Sequence, residues 1–377
     1  MKKKCDVFYV RNFISLIHCA SISTQFKNLN YKILYLNYAW INKEVFLYFK
    51  KFLFIYFDEI ITFNYKTIDN LNSNFFKEKK FNFFHRIFLR TKNLNNFNKK
   101  LKFKKNIYKV ENIFSGGDDF HLLFEQYKKI YYVEHGIGNY RDGLIFKQKK
   151  ILTLVNYFFK FLNLLGFKIF FLKKFDAYIS ILSNKIRLNL NINNYEVKYL
   201  NTQKKYFVDV LKKMSEQIGK NSKKLPFINK KKVFLNISGF IHVNEKESKN
   251  LIKIVLTKIS KNEIVIFKDH PRLGSKNDKI KKMFIDELKK RSIKHFEIKD
   301  VFFKKLPMEL LIYLVKSHKL ISSWSSSPLF CSVLFNQKFK NILLLEYSLK
   351  FPEDFEAKRN NKIYDIVKKK FKNITFL

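Results

Sequence analysis

The chain has 377 residues, 47% of them hydrophobic, and its 75 Lys and Arg against 31 Asp and Glu give a formal net charge of +44. This composition excludes a largely disordered chain, and the 9 Gly, 5 Pro and 3 Cys exclude a collagen-like repeat and a disulfide framework. The length favours two domains. The charge indicates an anionic partner, or the Lys- and Asn-rich composition of an AT-rich genome. Because the basic residues are evenly spread without a nucleic-acid-binding motif, we expect no specific nucleic-acid partner.

Residues 151–171 form the most apolar stretch, which is interrupted by Lys160 and Lys168. Burying both ammonium groups in a bilayer would be costly, so no membrane span is predicted there. Two interpretations remain, an interfacial helix on an anionic membrane surface or a buried helix pair of the core. Without a predicted signal peptide, we expect a cytoplasmic protein, either free or peripherally bound to the inner face of the cytoplasmic membrane.

In the first half, apolar runs predict a strand at 7–10, a helix to about residue 23, and strands at 31–38, 112–120 and 129–140. Residues 66–106 show weak periodicity. The polar stretch 212–232 is the predicted linker.

After it, strands are predicted at 233–238, 263–269 and 340–346, and helices at 249–260, 278–291 and 308–318. Residues 319–335 read as strand, loop and helix. The alternation predicts an α/β fold with two Rossmann-like lobes around a cleft, residues 1–215 and 230–377, as in GT-B architecture.

The first motif, Lys-Asp-His-Pro-Arg at 268–272, directly follows a predicted strand. Pro271 biases His270 away from the helical region, which aims the imidazole out of the strand end. An imidazole can donate a charged hydrogen bond to a phosphate and transfer a proton. The motif therefore predicts either a phosphate-facing acid or an ordinary loop histidine.

The second motif, Ser-Ser-Trp-Ser-Ser-Ser-Pro at 322–328, lies between a strand and an apolar helix. Pro328 suits the first helical turn, with a serine before it as N-cap. Hydroxyls, free amides and the positive end of the helix dipole favour an anion there. The alternative is an ordinary capped helix after a polar loop.

The third motif, Glu-His-Gly-Ile-Gly-Asn-Tyr at 134–140, ends a strand of the first half. Its glycines allow close backbone approach, and its acid or imidazole can take a proton from a hydroxyl. A turn with a surface carboxylate is the alternative. Asp118 and Asp119 follow a Ser-Gly-Gly turn and read as acceptor contacts or as turn acids.

Together, these motifs resemble the bacterial GT-B sialyltransferases, most closely the polysialyltransferase and lipooligosaccharide sialyltransferase families. Those families carry acidic-acidic-Gly, His-Pro and Ser-Ser motifs in this order. The segments VRNFISLIHCASIS (10–23) and LPMELL (306–311) also look like theirs. The resemblance extends over nearly the whole chain, but only these short motifs carry it.

The resemblance implies that His270 binds the donor phosphate and protonates the leaving CMP, and that Glu309 binds the ribose. The donor-binding residues that it implies are Lys268, Pro271, Glu309, Ser322, Ser323, Ser325, Ser326 and Ser327. On the acceptor side, Gly136 matches the glycine of the family's acidic motif, and Asp118, Asp119 and Asp142 are candidates from the sequence itself. The chain departs from the family pattern at His135, where an acidic base is usual, so the base is His135, Glu134 or Asp142.

The resemblance implies an inverting, metal-independent transfer of sialic acid or a related sugar from a CMP-activated donor to an anionic glycan or glycolipid, such as a capsule or lipooligosaccharide. No cofactor is expected besides the donor substrate. The alternatives are another envelope transferase, for Kdo or a polyol phosphate, and a non-catalytic basic protein that binds membrane or nucleic acid.

Overall fold

The computed structural model describes residues 2–26, 30–37, 43–63, 106–115, 124, 127–134, 176–182, 199–219, 225, 231–236, 245–268, 278–323, 325–335, 338–344 and 367–377. Contacts divide the chain into two compact units. The first comprises residues 1–135, 143–183 and 188–202, and the second comprises residues 136–142, 184–187 and 203–377.

The first unit contains a seven-stranded sheet in which every strand pair is parallel. Its strands are β1 (Lys3–Val10), β2 (Tyr31–Asn37), β3 (Glu59–Phe63), β4 (Tyr108–Ser115), β5 (Lys129–Val133), β6 (Ala177–Ser180) and β7 (Tyr199–Asn201). They lie in the order β3-β2-β1-β4-β5-β6-β7. Helices α1 (Phe13–Gln25) and α2 (Lys43–Leu53) follow β1 and β2.

The centre of this sheet is covered on both faces, which explains its apolar sequence. In β1 every residue from Cys5 to Val10 is buried. Phe8 stacks on Phe114 of the neighbouring strand, with ring centroids 4.6 Å apart. The turn after β1 starts α1 through a capping box, since the Asn12 side chain accepts a hydrogen bond from the Ser15 amide at 2.8 Å.

The second unit contains a six-stranded parallel sheet in the order β10-β9-β8-β11-β12-β13. Its strands are β8 (Lys231–Asn236), β9 (Glu263–Phe267), β10 (Lys294–Glu297), β11 (Lys319–Ser322), β12 (Lys340–Leu343) and β13 (Ile374–Phe376). The helices are α3 (Lys204–Gly219), α4 (Glu245–Thr257), α5 (Asp278–Lys290), α6 (Val301–Lys305), α7 (Met308–Val315) and α8 (Ser327–Leu334).

Helix α3 differs from the prediction, because it continues to Gly219 through the first part of the predicted linker 212–232. Its buried side chains include Phe207, Val210, Leu211 and Met214. Their spacing is that of one helical face. Because this apolar face begins before residue 212, the helix that it stabilises continues into the polar residues that follow.

The predicted α/β class with two Rossmann-like parallel sheets is confirmed. Counted from its own first strand, the second sheet has the same order as the first six strands of the first sheet, the order of dinucleotide-binding folds. All strands stay parallel, but the order in which the chain adds strands along the sheet reverses between β1 and β4 in the first unit, and between β8 and β11 in the second. Ligands of such sheets bind outside the carboxyl ends of the strands at that reversal.

Within the described ranges, no helix has both the length and the apolar composition needed to cross a bilayer. The apolar stretch 151–171 lies outside those ranges, as do residues 66–105 of the weakly periodic stretch. The cleft remains a prediction.

Candidate functional site

The carboxyl ends of β9, β8 and β11 lie side by side in the second sheet. Ser322 is in register with Asn236, and the Ser323 amide donates to the Asn236 carbonyl at 2.9 Å. On the other side of β8, the Lys268 amide donates to the Leu235 carbonyl at 3.3 Å. With neighbouring strands about 4.8 Å apart, residues that follow β9 and β11 emerge roughly 10 Å from each other, on either side of β8.

The serine-rich loop begins inside the protein and ends half-exposed at the start of α8. Ser322 and Ser323 are buried, whereas Ser325, Ser326 and Ser327 are half-buried. The Ser322 hydroxyl donates to the Ser323 carbonyl at 2.8 Å and lies 3.2 Å from Oγ of Ser325. These contacts fix the path of the loop as it enters the helix.

Ser326 occupies the N-cap position of α8, but its side chain makes no capping hydrogen bond. Its carbonyl accepts from the Leu329 and Phe330 amides, both at 3.1 Å, so the helical ladder starts here. A serine that does not cap its own helix leaves the hydroxyl and the first-turn dipole available to an anion.

Glu309, in the first turn of α7, lies beneath the start of α8 and is only 1% exposed. Its carboxylate is hydrogen-bonded by the Ser327 side chain, while Oε1 has no hydrogen-bond partner among the described residues. Burial raises the pKa of Glu309, against the opposing effects of its own backbone amide, Ser327 and Lys268. A buried acceptor left open is costly, so it points to a missing partner.

Lys268, directly after β9, supplies positive charge to this carboxylate. It is buried, its Nζ donates to the Lys304 carbonyl of α6 at 3.3 Å, and its charge lowers the pKa of Glu309. Three different elements thus bring together a cation, a carboxylate and a hydroxyl. We call Lys268, Glu309 and Ser327 the donor-side cluster.

In the first unit, Glu134 follows β5 and is completely buried. Its Oε2 accepts from the Ser180 hydroxyl at 2.7 Å and from the Ile181 and Leu182 amides at 2.9 and 3.4 Å. These donors all come from the carboxyl end of the neighbouring strand β6. The carboxylate therefore fastens the end of β5, just before His135, to the adjacent strand.

His18 in α1 is a site residue that the sequence patterns did not indicate. Its Nδ1 lies 3.1 Å from the Glu134 carbonyl, and its Nε2 is hydrogen-bonded to the Thr202 hydroxyl. Burial lowers the pKa of His18 to about 4, so the ring is neutral at pH 7. Because a carbonyl only accepts, Nδ1 carries the proton and Nε2 accepts from Thr202. The sequence gives no sign that a single histidine in an apolar helix forms hydrogen bonds with the Glu134 carbonyl and Thr202.

The remaining predicted site residues lie outside the described ranges: His270, Pro271, His135, Gly136, Asp118, Asp119 and Asp142. Their described neighbours are Lys268, Glu134 and Ser115. Each of these lies at or just beyond the carboxyl end of a strand, as predicted. Within the described ranges, no three or more His, Cys, Asp or Glu side chains are grouped to hold a metal ion.

No protein-family model matches the chain, and no curated protein sequence matches it. Among solved structures, it is similar to the UDP-GlcNAc 2-epimerase of Methanocaldococcus jannaschii, with a TM-score of 0.48 and 12% identity over 99% of this chain and 88% of that one. A glycosyltransferase from Rickettsia africae matches with a TM-score of 0.42 and 13% identity over 98% and 94% of the two chains. Acinetobacter baumannii MurG matches with a TM-score of 0.40 and 8% identity over 100% and 86%.

Proposed function

We propose that this chain is a glycosyltransferase of GT-B type that moves sialic acid, or a related sugar, from a CMP-activated donor to a cell-surface glycan. The observation that carries the proposal is the donor-side cluster, placed beside the point where the strand order reverses in the second sheet. A nucleoside monophosphate has ribose hydroxyls, which suit a buried carboxylate oxygen without a partner among the described residues. It also has a phosphate, which suits a buried lysine and a helix start that its N-cap side chain does not cap.

On the donor side, the open Oε1 of Glu309 would accept a hydrogen bond from a ribose hydroxyl. The first turn of α8 and the hydroxyl of Ser326 would hold the phosphate, with Lys268 supplying positive charge. A hydrogen bond to a charged group typically contributes about 1.5–3 kcal/mol. Lys268 and the positive end of the α8 dipole would thus offset the charge of the monophosphate, and the proposal requires neither a metal nor another cofactor.

On the acceptor side, the base remains to be assigned among Glu134, His135 and Asp142. The contacts of Glu134 favour a positioning role, because one of its oxygens is held by Ser180 and two amides and the residue is buried. We therefore favour His135 as the base, since a neutral imidazole accepts a proton readily near pH 7. Asp118 and Asp119, which follow β4 in the sequence, are proposed acceptor contacts.

In the proposed reaction, the base takes the proton of an acceptor hydroxyl. The oxygen of that hydroxyl then attacks the anomeric carbon of the donor sugar. The bond from that carbon to the phosphate oxygen of CMP breaks with inversion. His270 donates a proton to the departing phosphate. Proton transfer of this kind typically supplies about 10²–10⁴-fold in rate.

The test is to incubate the full-length protein with glycan acceptors and CMP-sialic acid, CMP-Kdo or CDP-glycerol, and to measure release of CMP. We expect release from CMP-sialic acid, and a loss of about 10²–10⁴-fold in His270→Ala. His295→Ala, in the strand β10, is the matched control and should keep the wild-type rate.

If CMP is released only from CMP-Kdo or only from CDP-glycerol, that nucleotide is the donor and the assignment of CMP-sialic acid is wrong. A protein that binds none of the three nucleotides would contradict the proposal.

A further inference from the structure

Large hydrophobic side chains are exposed on one part of the first unit. Phe54 is 51% exposed and Ile55 is 65% exposed, directly after α2, and Leu47 on α2 and Ile107 before β4 are exposed by half. Exposed apolar side chains that occur together, rather than singly, indicate an interaction surface.

Phe54, Ile55 and Ile107 lie at the amino ends of the strands, and Leu47 lies on the helix that leads to them. Phe54 and Ile55 line a depression of about 400 Å³ together with Lys3 and Tyr31, the first residues of β1 and β2. The Lys3 amide donates to the Ile107 carbonyl at 2.9 Å, which places Ile107 beside the same strand ends. The amino ends of the strands are opposite the carboxyl ends, where Glu134 lies.

Lysines are interleaved with the apolar side chains. Leu47, Lys50, Lys51 and Phe54 follow the spacing i, i+3, i+4 and i+7, which forms one stripe along α2 and its last turn, and both lysines are exposed. We call Leu47, Lys50, Lys51, Phe54, Ile55 and Ile107 the apolar–basic face.

Acidic groups near this face do not cancel its charge. Glu44 is the acid on the exposed side of α2, and the Asp58 carboxylate accepts the backbone amide of Lys32 at 2.7 Å. Lys2, Lys3 and Lys4 are exposed at the adjoining strand end.

We propose that the apolar–basic face docks onto an anionic lipid bilayer. A leucine, a phenylalanine and two isoleucines set among lysines match the bilayer interface, where apolar groups enter the acyl boundary and lysines meet anionic headgroups. A nucleic acid would use the lysines but not the exposed aliphatic side chains. The proposal rests on this surface alone and does not depend on the proposed transferase activity.

Sedimentation of the full-length protein with phosphatidylglycerol/phosphatidylcholine vesicles tests it, with pure phosphatidylcholine as reference. We expect binding to the anionic vesicles, weakened about tenfold or more in Phe54→Ser/Ile55→Ser and in Lys50→Glu/Lys51→Glu. The matched controls lie in the second unit: Val301→Ser, at a side chain 56% exposed, and Lys369→Glu/Lys370→Glu, an exposed lysine pair. Both should bind as the wild type does.

Because the changed side chains are exposed, circular dichroism should show each variant to be folded. Wild-type binding by Phe54→Ser/Ile55→Ser would overturn the proposal, as would equal binding to phosphatidylcholine alone. Light scattering without vesicles measures the oligomeric state of the wild type and of each variant. A homo-oligomer that these substitutions dissociate would overturn it in favour of a second copy of the chain.

Discussion

The hydroxyl of Ser180 lies 2.7 Å from Oε2 of Glu134 and joins the carboxyl ends of two neighbouring strands through a buried carboxylate. Removing the carboxylate in Glu134→Ala leaves the Ile181 amide without its 2.9 Å acceptor. We expect a loss of about 1–3 kcal/mol in the free energy of unfolding, measured with urea. Glu216→Ala, at an exposed glutamate of α3, should change it by less than about 0.5 kcal/mol.

Glu134→Gln separates structure from chemistry, since the amide keeps an oxygen acceptor but is a poor base. If Glu134 positions His135, this variant keeps its transfer rate within about tenfold of the wild type. A fall of about 10²–10⁴-fold in a folded Glu134→Gln protein would instead identify Glu134 as the base.

Glu309→Gln should bind CMP more weakly, by about tenfold or more, because the open carboxylate oxygen is replaced by a neutral group. Isothermal titration calorimetry measures this. Glu216→Gln is the control that should bind normally. Unchanged CMP affinity in Glu309→Gln would remove Glu309 from the donor site.

The same variant, although it binds CMP more weakly, should gain stability relative to the wild type as pH rises. Since burial raises the pKa of Glu309, its favourable contribution is present below the unfolded-chain pKa and is lost as pH rises through the folded pKa. Glu309→Gln removes that loss. Relative to the wild type, the variant should therefore be more stable at pH 7 than at pH 4 in urea titrations.

Glu263→Ala should be strongly destabilising, by about 3–5 kcal/mol, because it leaves a buried lysine unpaired. Lys319 Nζ lies 2.8 Å from the Glu263 carboxylate, and His318 Nε2 lies 2.7 Å from it. Burial alone would raise the pKa of Glu263, but hydrogen bonds from Lys319, the Ser260 amide and His318 lower it overall.

A lowered pKa contributes stability that is present above the unfolded-chain value and is lost as pH falls through the folded value. The difference between wild type and Glu263→Ala should therefore shrink on acidification, as urea titrations at several pH values will show. Glu287→Ala breaks a solvent-exposed pair with Lys290 and should change the free energy of unfolding far less than Glu263→Ala does. Equal effects of the two substitutions would contradict the prediction.

Strands buried on both faces could be predicted from the sequence, because a central parallel strand must be apolar throughout. The runs at 233–238, 263–269 and 340–346 are confirmed as strands, with ends shifted by a few residues. Strand β10 was not predicted, since Lys294–Glu297 has only one apolar residue and lies half-exposed.

The site was predictable only where residues lie close along the chain. The serine-rich loop and the residues after β9 could be placed at strand ends from local patterns. The hydrogen bond from Ser327 to Glu309 joins two helices, and His18 meets Thr202 from 184 residues away. Such contacts depend on how the helices pack against the sheets, which no local pattern encodes.

All pairings of the first sheet fall within residues 1–202, and all pairings of the second fall within residues 203–377. Among the strands that the structure describes, neither sheet includes one from the other half of the polypeptide. Heating the protein in a calorimeter should accordingly give two endotherms, and a nucleotide that occupies the second sheet should shift just one of them to higher temperature.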